Sequence, residues 1–243
     1  MKMLEKQGHY FVLILALMGN FLVWHFNEHR LPVWANVPPA PSEIAAAATF
    51  LGDKEMAYRS FAITLQSFGN DTGQVMALKD YNYENLGGWF LLENGLNNHS
   101  DYVPYLAGYY FGANQDPSKL GPVIEYLRIV GKNPLPDKWR FLGQAVFLKR
   151  HRMNDIKGAL KLAEELAETY RPGMPAWPLQ MKAIIATDMG DKKQAYLMMV
   201  EMLHSAAATM DPIEVNFIID YTCNTILSPM QSAKDALCQK HDK

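Results

Sequence analysis

Cysteine is almost absent: Cys223 and Cys238 are the only two in 243 residues. Two thiols cannot build a disulfide-rich scaffold or a zinc site of several cysteines. They leave two readings open, a bridge closing a C-terminal loop, worth about 3 kcal/mol in the chain-entropy picture, or two independent buried thiols. An excess of either charge is also missing. Twenty-three basic against twenty-five acidic side chains give a net charge of -2, without the strongly basic face that nucleic-acid binding requires. Nor do Val, Ile and Thr alternate with polar residues over the length of a strand, which excludes a sheet protein. The spacings of a zinc protease, a phosphate loop, a nucleophile elbow or paired cysteine ligands occur nowhere. The expectation is therefore no catalytic residue, no metal and no cofactor. His25 and His29, four apart, can share a helical face, but two ligands do not complete a site, and interfacial histidines are the expected role.

What is present begins with a long apolar run. No Asp, Glu, Lys or Arg lies between Gln7 and Asn27, and Tyr10 to Phe26 is almost wholly apolar. About 20 helical residues span a bilayer core, and Tyr10, Trp24 and His25 sit where amphipathic rings favour the headgroup region. A cleaved signal peptide has a shorter apolar region and a small-x-small site soon after it. The only such site here, Val33-Trp34-Ala35, is far downstream, so an uncleaved anchor is expected over a signal or a core helix. Lys2, Lys6 and the terminal amine outweigh Arg30, which places the N-terminus in the cytoplasm and the rest across the membrane. The division that results is a cytoplasmic stub and transmembrane anchor over residues 1–30, a Pro-rich spacer over 31–42 and a folded domain over 43–243. The spacer, LPVWANVPPAPS, has four prolines and no charge, as an extended segment should.

Apolar residues at 49% and charged residues at 20% supply an ordinary globular core for that domain. Their period is helical. Ile156, Ala159, Leu160, Ala163, Leu166, Ala167 and Tyr170 share one face; Lys157, Lys161, Glu164, Glu165 and Glu168 share the other. Ala57, Phe61, Leu65 and Phe68 form a second stripe, and Ala195, Met198, Met199, Met202 and Leu203 a third. Gly190-Asp191 reads as a helix stop followed by an N-cap, and Asp211-Pro212 as a cap with proline at the first helical position. Proline after Gly121 puts a helix start there. Internal similarity sharpens the pattern. Gly52 to Tyr58 (GDKEMAY) and Gly190 to Tyr196 (GDKKQAY) share five of seven residues, and Asn154-Asp155 with Ala159 repeats the Asp-x-x-x-Ala opening. The offset from Asp155 to Asp191 is 36, and from Asp53 to Asp155 it is 102, three times 34, as in a stacked array of short helices.

These residues resemble the tetratricopeptide repeat family, in its bacterial membrane-anchored form. Trp139, Leu142, Gly143, Ala159 and Pro172 match its large aromatic, Leu-Gly pair, crossing-point alanine and closing proline; Trp177, Ala195 and Pro212, and then Tyr105, Gly108 and Pro134, match it in part. Extra residues precede Ala159, and Met181 stands where the family has glycine. The resemblance implies an all-α fold of antiparallel helical hairpins, with units at about 101–134, 136–172 and 174–212 and a degenerate unit at about 43–70. It also implies a binding groove lined by the first helix of each hairpin. Carried onto this chain, that groove holds Leu106, Tyr109, Arg140, Gln144, Phe147 and Lys182, with the two cations selecting an acidic peptide.

Two clusters have other expectations. Tyr102, Tyr105, Tyr109, Tyr110 and Phe111 are expected to pack between hairpins, with a peptide platform as the alternative. Lys149, Arg150, His151 and Arg152 are expected as a solvated helix end complementing the dipole, with lipid or acidic partners as the alternative. The sequence thus predicts a scaffold for protein–protein interaction or envelope-complex assembly, bound to the inner (cytoplasmic) membrane through residues 10–26, its domain periplasmic, its partners proteins and not nucleic acid. A structural subunit buried in a larger membrane complex is the alternative, and an unrecognised enzyme a minor one.

Overall fold

Residues 2–27, 37–69 and 75–241 are described by a computed structural model, and among them there is no β-strand. His29, Arg30, the triplet at 33–35 and the spacer up to residue 36 lie outside the described residues. Helix α1 (Lys2–Asn27) is followed by α2 (Glu43–Thr49), α3 (Lys54–Ser67), α4 (Tyr83–Leu96), α5 (Tyr102–Tyr105) and α6 (Gly121–Gly131). Then come α7 (Trp139–Phe147), α8 (Ile156–Glu168), α9 (Trp177–Asp188), α10 (Lys192–Ala206), α11 (Pro212–Tyr221), α12 (Pro229–Ser232) and α13 (Ala236–His241). Three of these run on into π-turns, α5 over Leu106–Tyr110, α7 over Leu148–Arg152 and α11 over Thr222–Ile226.

One local device recurs at helix starts. A residue in the left-handed region (Gly52, Asn154 or Gly190, with φ of 89, 54 and 82°) turns the chain. The aspartate that follows then caps the next helix: Asp53 accepts from the Met56 amide, Asp155 from Gly158 and Asp191 from Gln194. Four residues beyond each cap, Ala57, Ala159 and Ala195 are fully buried where a larger side chain would hold the helices apart. Gly121 opens α6, as the proline after it requires.

Consecutive helices pack as neighbours: α4 against α3 and α6, α7 between α6 and α8, α9 between α8 and α10. Glycine permits the closest of these approaches. A Cβ on Gly131 would lie 2.4 Å from the Leu142 backbone nitrogen, and one on Gly143 would lie 2.4 Å from the Trp177 ring. Trp139 completes that junction, its ring 4.9 Å from that of Trp177. The buried face of α8 is Ala159, Leu162, Ala163 and Leu166. Leu162 thus widens the expected stripe, in which Ile156 and Leu160 pack on the core partly buried, because α8 has neighbours on two sides.

The spacer does not stand free where it is described. Val37 is buried; its carbonyl accepts from Asn85 Nδ2 at 2.7 Å, and the Pro38 carbonyl accepts from Trp89 Nε1 at 2.8 Å. Gly88 leaves room for Ala40, and Gly95 for the Glu43 carboxylate, so the strap runs along α4. Extended, proline-rich backbone has unpaired carbonyls to offer, and α4 supplies the donors.

Among the buried polar side chains of the described residues, two are ionisable. Lys138, 2% exposed, donates to the His99 and Ser100 carbonyls and to Asp101 Oδ1, a complete set of partners for an ammonium. Glu93, on α4, is fully buried with neither carboxylate oxygen hydrogen-bonded, and burial pushes its carboxyl from an ordinary 4.5 up to about 8. At the C-terminus Cys223 and Cys238 are joined in a disulfide, with Cα atoms 5.7 Å apart, so the first of the two cysteine readings holds.

Among the described residues no helix is long and apolar enough to cross a membrane. The apolar run nearest to it, Tyr10 to Phe26, covers about 25 Å at 1.5 Å per residue, against a hydrocarbon core of about 30 Å.

Candidate protein-binding groove

The helical stretch from Tyr102 to Ala113 lies beside the one from Trp139 to Arg152, and two glycines set their separation. Gly108 and Gly112 are one turn apart on the face toward α7; a Cβ on the first would meet Gln144 Cγ at 3.0 Å and on the second Leu148 Cδ at 3.2 Å. Gln144 Nε2 donates to the Gly108 carbonyl at 3.2 Å across this approach. The contact falls within the π-turn at Leu106–Tyr110.

Above that floor is a cavity of about 490 Å³, lined by Tyr109, Ala113, Gln144, Phe147, Leu148 and Arg152 besides the two glycines. Its walls are exposed rings, Tyr109 at 62% and Phe147 at 49%. Both are held by neighbours: Tyr105 stacks on Tyr109 at 5.7 Å and packs edge-on against Phe141, while His151 lies 4.8 Å from Phe147. Rigid aromatics that remain open to solvent are what an interface uses as anchors, because little entropy is lost when they are covered.

Of the six residues predicted for a groove, Tyr109, Gln144 and Phe147 meet here. Leu106 is half-buried and packs on the core behind them. Arg140 is paired with Asp137 at 3.3 Å and lies over the Trp139 ring. Lys182 lines a separate cavity of about 360 Å³ between α9 and α10, together with Gln194, Leu197 and Glu201. The aromatic stretch departs from its expected core role: Tyr102, Tyr105, Tyr109 and Tyr110 are all exposed, and only Phe111 is buried. Its tyrosines outnumber the positions that face inward on one helix, and α7 occupies only part of the remaining surface.

The basic run forms the last turn before Asn154, with His151 and Arg152 exposed as expected, but three of its side chains also have partners. Lys149 pairs with Asp155 at 3.0 Å, Arg150 pairs with Asp188, and Arg152 Nη2 donates to the Asn114 carbonyl. Sequence reasoning missed Arg152 and Leu148 as groove residues, since the π-turn at Leu148–Arg152 changes which side chains follow Phe147 on this face. Gly108 and Gly112 at helical spacing were the available signal. Comparison with protein families, curated proteins and solved structures finds no match to this chain.

Proposed function

We propose that this protein is a membrane-anchored helical-repeat scaffold of tetratricopeptide-like build, which recruits protein partners or assembles an envelope complex through the groove between its hairpins. The observation that carries the reading is the pair of exposed, held aromatic rings, Tyr109 and Phe147, over a glycine-built floor. Stacked hairpins generate such surfaces through the small rotation between successive units.

The anchor is part of the proposal. Over its whole length α1 has 26 residues, about 39 Å, and from Gln7 to Asn27 it has no charge. Its large apolar side chains from Tyr10 to Phe26 are exposed on every face. A helix apolar all round needs a nonpolar surrounding, and lipid supplies one. The disulfide supports an oxidising compartment for the domain, in keeping with the charge asymmetry around the anchor.

In alkaline extraction the full-length protein should stay with the membrane, and a phosphatase fused after Lys243 should be active only outside the cytoplasm. A protein released by alkali, or a fusion active inside, removes the anchor from the reading. For the groove, cross-linking in native membranes should recover a partner with the wild-type chain and lose it with Phe147→Ala; unchanged recovery removes the groove. A second reading, an obligate subunit held by its outer faces, draws on Ile213 at 77% exposure together with Phe217 and Met230 at the C-terminal end. It predicts that the cross-links form at α11 and survive Phe147→Ala.

A further inference from the structure

We infer that the groove selects a peptide in which an aromatic side chain stands next to an Asp or Glu, the ring entering between Tyr109 and Phe147 and the carboxylate meeting Arg152. The inference rests on the partner-binding reading of this groove and is independent of the anchor. The charge balance of the surface carries it. None of the residues lining the cavity is acidic, and its one cation is Arg152. The neighbouring cations are already neutralised: Lys149 by Asp155, Arg150 by Asp188 and, further along α7, Arg140 by Asp137.

Arg152 differs from them. Its described partner is a neutral carbonyl, that of Asn114, which fixes the guanidinium through Nη2 and leaves its charge uncompensated by any carboxylate among the described residues. A guanidinium held in place keeps donors for a carboxylate and loses little freedom when it binds one. The apolar part of the site is equally selective. A cavity of about 490 Å³ lies within the roughly 300 to 1,000 Å³ of small-ligand sites and accommodates a ring, which would pack edge or face against Tyr109 and Phe147. A basic peptide would bring a second cation to Arg152, and a wholly apolar one would strip water from the guanidinium without replacing it.

The test is fluorescence anisotropy on the full-length protein in detergent micelles. The probes are two amidated, fluorescein-labelled hexapeptides, Gly-Ser-Phe-Glu-Ser-Gly and its counterpart with Lys in place of Glu. The acidic peptide should bind about tenfold or more tightly than the basic one, as a charge-assisted contact implies. Added salt should narrow the gap. Arg152→Gln should bring the two within about threefold, and Arg152→Lys should restore part of the preference, while Phe147→Ala should weaken the acidic peptide by about tenfold. Lys182→Gln should change nothing. Equal binding of the two peptides by the wild-type chain, no saturable binding of either, or a preference that persists in folded Arg152→Gln overturns the inference. Loss of partner cross-links in Phe147→Ala alongside equal binding of the peptides would keep the scaffold reading and remove this one.

Discussion

The two halves of the domain are filled differently. From α2 to α8 the core is built on rings, with Phe90 stacked on Tyr126 at 5.1 Å and edge-on to Phe111, and Phe61 and Phe68 against Trp89. From α9 onward it is built on small and flexible side chains: Ala176, Ala183, Ala186, Ala195, Met199, Met202 and Met210. Helix α9 is the seam, since Ile185 belongs to the first cluster and Ala183 and Ala186 to the second. Aromatic packing gives a rigid frame to the groove helices. Methionine adapts its shape and specifies it less, and that half contains the disulfide. The contrast teaches that a covalent link stands where rings are scarce.

The harshest way to break the contrast is Phe90→Ala. It should cost about 4 kcal/mol, as large-to-small changes at fully buried rings do, with hydrogen-exchange protection falling in α4 and α6 before α10. Uniform loss across both halves would show one cooperative core.

Glu93 sharpens the comparison through pH. Its folded carboxyl titrates near 8 and an unfolded one near 4.5, so between those values the unfolded chain has lost a proton that the folded chain keeps. Stability from this group is complete below about pH 4.5, declines as the pH rises and is gone above about 8. At pH 7 the loss is on the order of 3 kcal/mol. Denaturant midpoints of the wild type should therefore fall from pH 5 to 8.5, and those of Glu93→Gln should stay nearly flat. A wild-type midpoint constant over that range would show Glu93 ionised and partnered.

Reduction of Cys223–Cys238, or the double change to Ala, should cost roughly 2 to 3 kcal/mol for a loop spanning 15 residues. Thermal unfolding followed by proteolysis should show the loss confined to α9 through α13. Smallest is Asp191→Ala, which removes the cap from α10 and should lower stability by about 1 kcal/mol. Its counterpart Asp53→Ala should do the same in the ring-filled half, and unequal costs would measure how far each half can absorb a local defect.

Much of the helical architecture was legible because its signals are local. A left-handed turn residue, an aspartate and an alanine four positions on act through the backbone of their own segment, so Asp53, Asp155 and Asp191 announce themselves. What was not legible depends on distant neighbours. The π-turns after α5 and α7 have no sequence mark, and they decide that Arg152 joins Phe147 at the groove. Pairing is equally hidden: Arg140 and Arg152 look alike in sequence, and only Asp137 and Asn114 tell them apart. Glu93 reads as an ordinary surface acid until α4 is seen to have neighbours on both sides. The tyrosines of the 102–111 stretch were assigned inward because rings favour burial, yet one helix cannot bury rings on every side.

The strap along α4 shortens the leash. With Val37 and Pro38 fastened to Asn85 and Trp89, only residues 28–36 separate the end of α1 from the domain, a reach of at most about 36 Å at 3.3 to 3.6 Å per residue. For an anchored protein this confines the groove to a thin layer above the bilayer. A partner that is itself membrane-bound then meets it in two dimensions, at an effective concentration set by surface density. Weak affinity for a short peptide would suffice there, where the same affinity in free solution would leave the groove empty.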